Sequence, residues 1–147
     1  MGDVMNIDKK VLNLLLKNAE KAYKKGEIPV SAVILDQSGK IISSSFNNRQ
    51  NKYNVLGHAE INAILKAEKK IRDWRLDGYS MIVTLEPCNM CSMIIKEARL
   101  DKVFYFLPKK NDNDSWEISI EKEQLKEYKD YSSKFKQLLI DFFDNKR

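Results

Sequence analysis

The chain has one histidine and two cysteines, and all three fall within two short motifs. The first is His58-Ala59-Glu60, and the second is Pro87-Cys88-Asn89-Met90-Cys91. One imidazole and two thiolates are three good ligands for Zn²⁺, whereas a closed structural site takes four protein ligands. The sequence therefore predicts a zinc centre formed by His58, Cys88 and Cys91, with one coordination position open to water.

The spacing of the cysteines suits a helix. Cys88 and Cys91 are three residues apart, which places both sulfurs on one helical face. We expect this helix to begin at Pro87, because the fixed φ of proline suits a first helical position. Both thiols would then lie where the helix dipole favours an anion, and the thiolate is the form that binds metal.

Glu60 is predicted to carry protons rather than to bind the metal, because a fourth protein ligand would close the site to water. Zinc lowers the pKa of a bound water from about 15.7 to about 7. A carboxylate beside that water can accept its proton, pass it to a ring nitrogen and later protonate departing ammonia. His-x-Glu followed by Pro-Cys-x-x-Cys is also the signature of zinc-dependent nucleobase deaminases.

Other interpretations of the same residues fit less well. Cys-x-x-Cys is also found in thioredoxin-like redox pairs and as half of a zinc ribbon. A ribbon needs a second cysteine pair, which the chain lacks. A redox pair would explain neither His58 nor Glu60. A single histidine near a helix start is commonly a hydrogen-bonded surface residue, but this one opens His-Ala-Glu before an apolar periodic segment.

Length and composition indicate one domain, residues 1–147, large enough to bury a core without disulfides. With both cysteines assigned to metal, a reducing cytoplasm is the expected location, and neither a secretory signal nor a membrane helix is recognisable. The net charge is +5, and the basic surplus lies within residues 1–108. This surplus is compatible with a polyanionic substrate, although solvated lysine-rich faces are common.

The hydrophobic pattern alternates between helical and strand periods, which predicts an α/β fold. Asp8 is a plausible N-cap for the first helix. The remaining elements are expected as strands at 30–35, 40–46, 79–85 and 102–106, helices at 58–69 and from Pro87 to about Leu100, and a mostly helical C-terminal segment in which Leu125 and Tyr128 share the helical spacing. Residues 116–120 are a candidate short edge strand. Both ligand-bearing helices follow a strand or loop, where sites form in open α/β sheets.

Several segments together resemble the bacterial tRNA-specific adenosine deaminases of the cytidine deaminase-like superfamily. They are Glu27-Ile28-Pro29-Val30, Asn47, His58-Ala59-Glu60-Ile61, Trp74-Arg75-Leu76, Val83 to Cys91 and Asp141-Phe142-Phe143. The resemblance implies a three-layer α/β/α cytidine deaminase-like fold with a mixed central sheet of about five strands flanked by helices.

The resemblance also implies a reaction, the hydrolytic deamination of adenosine to inosine at the wobble position of a tRNA anticodon. His58, Cys88 and Cys91 would hold one Zn²⁺, and Glu60 would shuttle protons. Substrate contacts would come from Asn47 to the purine edge, from the Ala59 N–H to a pocket oxygen, and from Phe142 and Phe143 to the anticodon loop. Each phenylalanine could equally be a core residue. The family further implies a homodimer.

The chain departs from the family pattern in three places. Residues 107–116 replace a Gly- and Ala-rich segment that borders the RNA, Ser31 replaces a glycine, and Ser92-Met93 replaces Ala-Gly. These departures bear on RNA contacts and not on the chemistry. Two alternatives therefore stay open: a deaminase of a free base, nucleoside or nucleotide of the guanine, cytosine or cytidine type, and a non-catalytic zinc-containing RNA-binding subunit.

Overall fold

The computed structural model describes residues 6–110 and 116–145. Its helices and strands are α1 (Lys9–Lys24), β1 (Ser31–Leu35), β2 (Ile41–Phe46), α2 (Ala59–Ile71), β3 (Ser80–Leu85), α3 (Asn89–Glu97), β4 (Lys102–Leu107), β5 (Lys122–Gln124) and α4 (Lys129–Asp144). The five strands form one sheet in the order β2-β1-β3-β4-β5.

The sheet is mixed, as predicted. Strand β1 pairs antiparallel with both β2 and β3, and Val33 lies opposite Ser44 and Ile82 in the two ladders. Strand β4 runs parallel to β3 and to β5. The parallel pair β3-β4 is connected through α3, which covers a face of the sheet as a crossover helix must.

Helices cover both faces of the sheet and give the expected three layers. On one face α2 and α3 pack against alternate sheet residues, and this core includes Ala32, Ile34, Ala63, Ile64, Met81, Val83, Ile95 and Val103. On the other face α1 and α4 pack against the intervening residues, with Leu12, Leu15, Val33, Ile82, Phe106 and Phe135 at the centre. The period-two alternation of a strand therefore divides the core in two.

The start of α1 follows from local chemistry. The Asp8 carboxylate accepts a hydrogen bond from the Lys10 N–H, which satisfies a donor that has no partner inside the helix. Ser31, which departs from the family's glycine, is fully buried, and its hydroxyl donates to the Leu15 carbonyl at 2.6 Å. This hydrogen bond accommodates the polar side chain between β1 and α1.

Three expectations about local structure were wrong. The edge strand is Lys122–Gln124 and not residues 116–120, because pairing with β4 decides its position and its polar residues carry no strand-like alternation. Leu125 and Tyr128 precede α4, which begins at Lys129. The helix of the cysteines begins at Asn89 and not at Pro87, since Cys88 is its N-cap with extended backbone, φ −71° and ψ 173°.

None of the helices in the described part of the chain is long and apolar enough to cross a membrane. Within the segment 107–116, residues 111–115 lie outside the described residues.

Candidate active site

Two helix N-termini bring the predicted metal ligands together. His58 is the N-cap of α2 and Cys88 is the N-cap of α3, and both have extended backbone. Cys91 follows in the first turn of α3 and is fully buried. Residues thirty positions apart in the sequence thus meet where two positive helix ends converge, an arrangement that favours thiolates and anionic groups.

The three ligand atoms have the separations that a tetrahedral zinc site requires. The His58 Nδ1 lies 3.9 Å from the Cys88 Sγ and 3.5 Å from the Cys91 Sγ, and all three atoms lie within 4.8 Å of one another. Zn–N and Zn–S bonds of about 2.0 and 2.3 Å at tetrahedral angles place N and S about 3.5 Å apart. The donor set and its geometry therefore fit one Zn²⁺ held by three protein ligands.

Glu60 lies in the first turn of α2 and is 5% exposed. Burial is the main cause that raises the pKa of its carboxyl, and the neighbouring Cys88 adds to this, so that the pKa reaches about 7. A carboxyl with a pKa near 7 both accepts and releases protons at neutral pH, which suits a general acid–base. The predicted proton carrier thus lies beside the predicted ligands.

The two sulfurs differ in their affinity for protons. The hydrogen bond from Cys91, followed by the contact with His58, lowers the pKa of the Cys88 thiol to about 3, although burial opposes the shift. The hydrogen bond to Cys88 and burial both raise the pKa of the Cys91 thiol. The hydrogen bond with Cys88 also raises the pKa of His58. Cys88 is therefore the thiolate that is formed most readily for metal binding.

Asn47 is buried immediately beside the metal ligands. Its Oδ1 accepts a hydrogen bond from the Ala59 N–H at 2.7 Å. The Ala59 N–H, which we expected to face a substrate oxygen, is therefore directed at Asn47 in this structure. This bond fixes the orientation of the Asn47 amide, whose role toward the purine edge stays a prediction.

A buried carboxylate that the sequence reasoning did not single out holds the loop between β2 and α2, the Asn47–Gly57 loop. Glu27 is 2% exposed, and its Oε1 accepts from the Gln50 N–H at 3.1 Å. Its Oε2 accepts from the Asn51 N–H at 2.7 Å and from the Asn51 side-chain amide. Burial raises the pKa of Glu27, but these hydrogen bonds outweigh it and lower the pKa below 4.5. The only sequence signal was its place in the Glu-Ile-Pro-Val segment.

The same loop closes tightly on itself at Gly57. The Asn48 N–H donates to the Gly57 carbonyl at 2.9 Å, and the Gly57 N–H donates to Asn54. A Cβ at Gly57 would lie 2.6 Å from the backbone N and Cα of Arg49. Because those atoms belong to the backbone, only glycine fits here without moving the loop.

A cavity of about 210 Å³ is lined in part by Asn47, whose Oδ1 accepts from the Ala59 N–H next to His58. Its lining includes Glu27, Arg49 and the two C-terminal phenylalanines. Phe142 is 8% exposed and Phe143 is 57% exposed, so the first also serves as a packing residue, whereas the second presents its ring to solvent. Both phenylalanines therefore border the predicted substrate region, and their contacts with RNA stay a prediction.

Comparison with known proteins agrees with this site. A family model, the cytidine and deoxycytidylate deaminase zinc-binding region, matches residues 5–107. The chain is 50% identical over 91 residues to a tRNA-specific adenosine deaminase of Rickettsia bellii, a match that covers 61% of this chain and 63% of the relative. The chain therefore spans less than two thirds of the length of that relative.

Two solved structures are 34% identical to this chain. One comes from a study of A-to-I editing by tRNA:A34 deaminases at the wobble position of transfer RNA, with a TM-score of 0.66 over 69% of this chain and 77% of the other. The second is guanine deaminase from Bacillus subtilis, with a TM-score of 0.63 over 71% of this chain and 66% of the other. Together with the family match across both ligand motifs, they place the chain in the family of the cytidine and deoxycytidylate deaminase zinc-binding region.

Proposed function

We propose that the protein is a zinc-dependent hydrolase that converts adenosine to inosine at the wobble position of a tRNA anticodon. The observation that carries the chemistry is the buried carboxyl of Glu60 beside a cluster of three residues that could hold a metal ion, His58, Cys88 and Cys91. Zinc with three protein ligands has a fourth position for water. The choice of substrate is supported by the 50% identity to a tRNA-specific adenosine deaminase and by the basic surplus of the chain.

The residues divide the reaction between them. His58, Cys88 and Cys91 would hold one Zn²⁺ ion, which would act as a Lewis acid and activate water. Glu60 would accept one proton of the attacking water and transfer it to the ring nitrogen. It would then take the second proton from the hydroxyl added at C6 and give it to the amine, which leaves as ammonia while the C6 oxygen becomes the carbonyl of inosine. Asn47, which the Ala59 N–H holds in place, binds the edge of the purine. Water and adenosine thus give inosine and ammonia.

A base that stays inside a stacked strand could not reach this site, because Glu60 and Cys91 are buried and His58 and Cys88 are only partly exposed. Enzymes that act on a nucleobase take it from a loop or flip it out of the helix, and they hold it between apolar walls. The cavity beside Asn47 would receive a nucleotide next to the target, with the Arg49 guanidinium available to a phosphate and the Phe143 ring available to a base.

A homodimer is part of this proposal. Leu65 on α2 and Met93 on α3 are 57% and 51% exposed, and both helices belong to the layer that carries the metal ligands. Large apolar side chains left at the surface commonly mark a protein interface. Light scattering on the purified protein tests the dimer. A cytoplasmic location also belongs to the proposal, since the relatives are named for acting on tRNA.

Guanine deamination is the second candidate, because a guanine deaminase is as similar in sequence as the tRNA deaminase structure is. The test is a direct comparison. The zinc-loaded protein is incubated with an anticodon stem-loop that carries a wobble adenosine and, separately, with guanine, cytosine, cytidine and adenosine. Inosine in the RNA supports the proposal. Ammonia from a free base without inosine in the RNA overturns it in favour of the second candidate.

A further inference from the structure

The Asn47–Gly57 loop exposes an aromatic ring at its tip although its backbone is tightly ordered. Tyr53 is 97% exposed, and Val55 and Leu56 are 68% and 43% exposed. Folding leaves Tyr53 almost wholly exposed and buries Val55 and Leu56 only in part, so these side chains add little to the core. A group of neighbouring exposed apolar residues on one loop commonly marks a binding surface.

The backbone of this loop is fixed from both sides. Inside the loop, the Tyr53 N–H donates to the Gln50 carbonyl at 3.3 Å and the Asn54 N–H donates to the Arg49 carbonyl at 3.0 Å. From outside, the buried Glu27 carboxylate binds the N–H groups of Gln50 and Asn51. The loop therefore presents Tyr53 in a preorganised position, which lowers the entropic cost of binding.

The conformation of Tyr53 itself is unfavourable. Its φ is 50°, in the left-handed region that non-glycine residues seldom adopt. A bulky aromatic residue there costs free energy that the surrounding hydrogen bonds must offset, and such positions cluster at ligand contacts. A residue that is strained and solvated at the same time is not explained by folding stability.

The charge of the loop indicates the partner. Residues 47–58 include two cations, Arg49 and Lys52, and no acidic residue, and both cations are exposed. Single-stranded nucleic acid is bound by aromatic rings that stack on bases together with cations that neutralise phosphates. The loop leads directly to His58 and Arg49 lines the cavity beside Asn47, so the loop lies at the rim of the site.

We infer that Tyr53 is a base-stacking residue that holds an unpaired RNA base flanking the target nucleotide, with Lys52 and Arg49 beside the neighbouring phosphates. This inference rests on the proposed action on RNA and adds a substrate-binding contact to it. Because stacking is tolerant of sequence, Tyr53 contributes affinity for a single-stranded loop rather than for one particular base.

The test measures the Kd of an anticodon stem-loop by fluorescence anisotropy, together with kcat and KM for inosine formation. Tyr53→Ala is expected to raise Kd and KM about tenfold, equal to about 1.4 kcal/mol, the size of one base–aromatic stack, with kcat unchanged. Tyr53→Phe keeps the ring and is expected to bind as the wild type does. Lys52→Gln is expected to lower the slope of log K against log salt by about one unit.

Trp74→Ala is the matched control. Trp74 is also an exposed aromatic residue, 55% exposed, but it follows the far end of α2, a helix about 20 Å long whose other end begins at His58. It is expected to leave RNA affinity unchanged. Zinc content and thermal unfolding of each variant establish that folding is intact.

The outcomes separate the inference from the proposed function. If the wild type forms inosine in the stem-loop while Tyr53→Ala binds as tightly as the wild type, the inference is overturned and the function stands. If Tyr53→Ala halves the mass in light scattering, the loop contacts a second copy of this chain and the inference is also overturned. If the wild type neither binds nor deaminates the stem-loop, the inference about Tyr53 and the proposed function are both overturned.

Discussion

Replacing Glu27 with glutamine tests whether one buried carboxylate holds the loop beside the metal centre. Oε2 accepts from both the Asn51 N–H and the Asn51 side-chain amide, and Oε1 accepts from the Gln50 N–H. In Glu27→Gln one oxygen remains an acceptor, while the other position carries an NH₂ group that faces these donors. Because the amide can turn so that its oxygen keeps both bonds from Asn51, the substitution removes at least the bond from the Gln50 N–H. It also leaves two donors facing each other at a side chain that is 2% exposed.

The expected loss can be worked out from these contacts. A hydrogen bond to a charged group contributes about 1.5–3 kcal/mol, and the two bonds that remain are weakened because their acceptor is no longer charged. We expect the free energy of unfolding at pH 7 to fall by about 2–4 kcal/mol. This is a large fraction of the roughly 5–15 kcal/mol that stabilises a typical domain. Because the loop carries Asn47, kcat/KM for the stem-loop should fall as well.

The pH dependence of the difference identifies the carboxylate as its cause. Although burial raises the pKa of Glu27, the hydrogen bonds from Asn51 and Gln50 hold it below 4.5. A group with a lowered pKa in the folded state contributes its full stability above its unfolded pKa, and this contribution is lost as the pH falls through the folded pKa. The difference between wild type and Glu27→Gln should therefore be largest at neutral pH and shrink in acid.

The measurement is urea denaturation, followed by circular dichroism, at a series of pH values from neutral to acid, with Glu20→Gln as the control. Glu20 is an exposed glutamate on α1, and its replacement should change the free energy of unfolding by less than about 0.5 kcal/mol. The reasoning is refuted if the free energy of unfolding of Glu27→Gln at pH 7 differs from that of the wild type by less than about 0.5 kcal/mol. It is also refuted if the difference between the two proteins does not change between neutral and acid pH.

Three further substitutions address the site. Glu60→Ala should keep its zinc and lose activity by at least about 10²–10⁴-fold, the usual contribution of an acid–base group; unchanged turnover would remove Glu60 from the mechanism. Cys88→Ser should lose zinc and unfold at lower temperature, because zinc binding energy is partly folding energy; full occupancy by elemental analysis would argue against Cys88 as a ligand. Gly57→Ala should push the backbone at Gly57 and Arg49 apart within the Asn47–Gly57 loop and destabilise the protein by about 1–3 kcal/mol, measured by urea denaturation; a crystal structure with the loop unmoved would contradict this.

Much of the fold was predictable because its signals are local. Asp8 starts α1 by a hydrogen bond two residues away, and the apolar strands follow the period-two pattern. The position of β5 was not predictable in this way. Its residues Lys122, Glu123 and Gln124 lack apolar alternation, and only pairing with β4 makes them a strand.

The start of helix α3, which carries Cys91, was also not predictable from the local sequence. Proline suits a first helical position, but Cys88 has extended backbone and caps the helix instead. The cap places the Cys88 Sγ 3.9 Å from the His58 Nδ1. A propensity is a weak local preference, and contact with a distant residue overrides it.

The sequence alone determined which residues could do chemistry, because one imidazole, two thiols and one nearby carboxylate have ligand and proton affinities that depend on residue type. The tertiary structure decided how those residues are held. The convergence of two helix ends, the burial that raises the pKa of Glu60 to about 7, and the Glu27 contacts with a loop more than twenty residues away all depend on packing between distant segments. Such contacts leave no periodic or compositional signal in the chain.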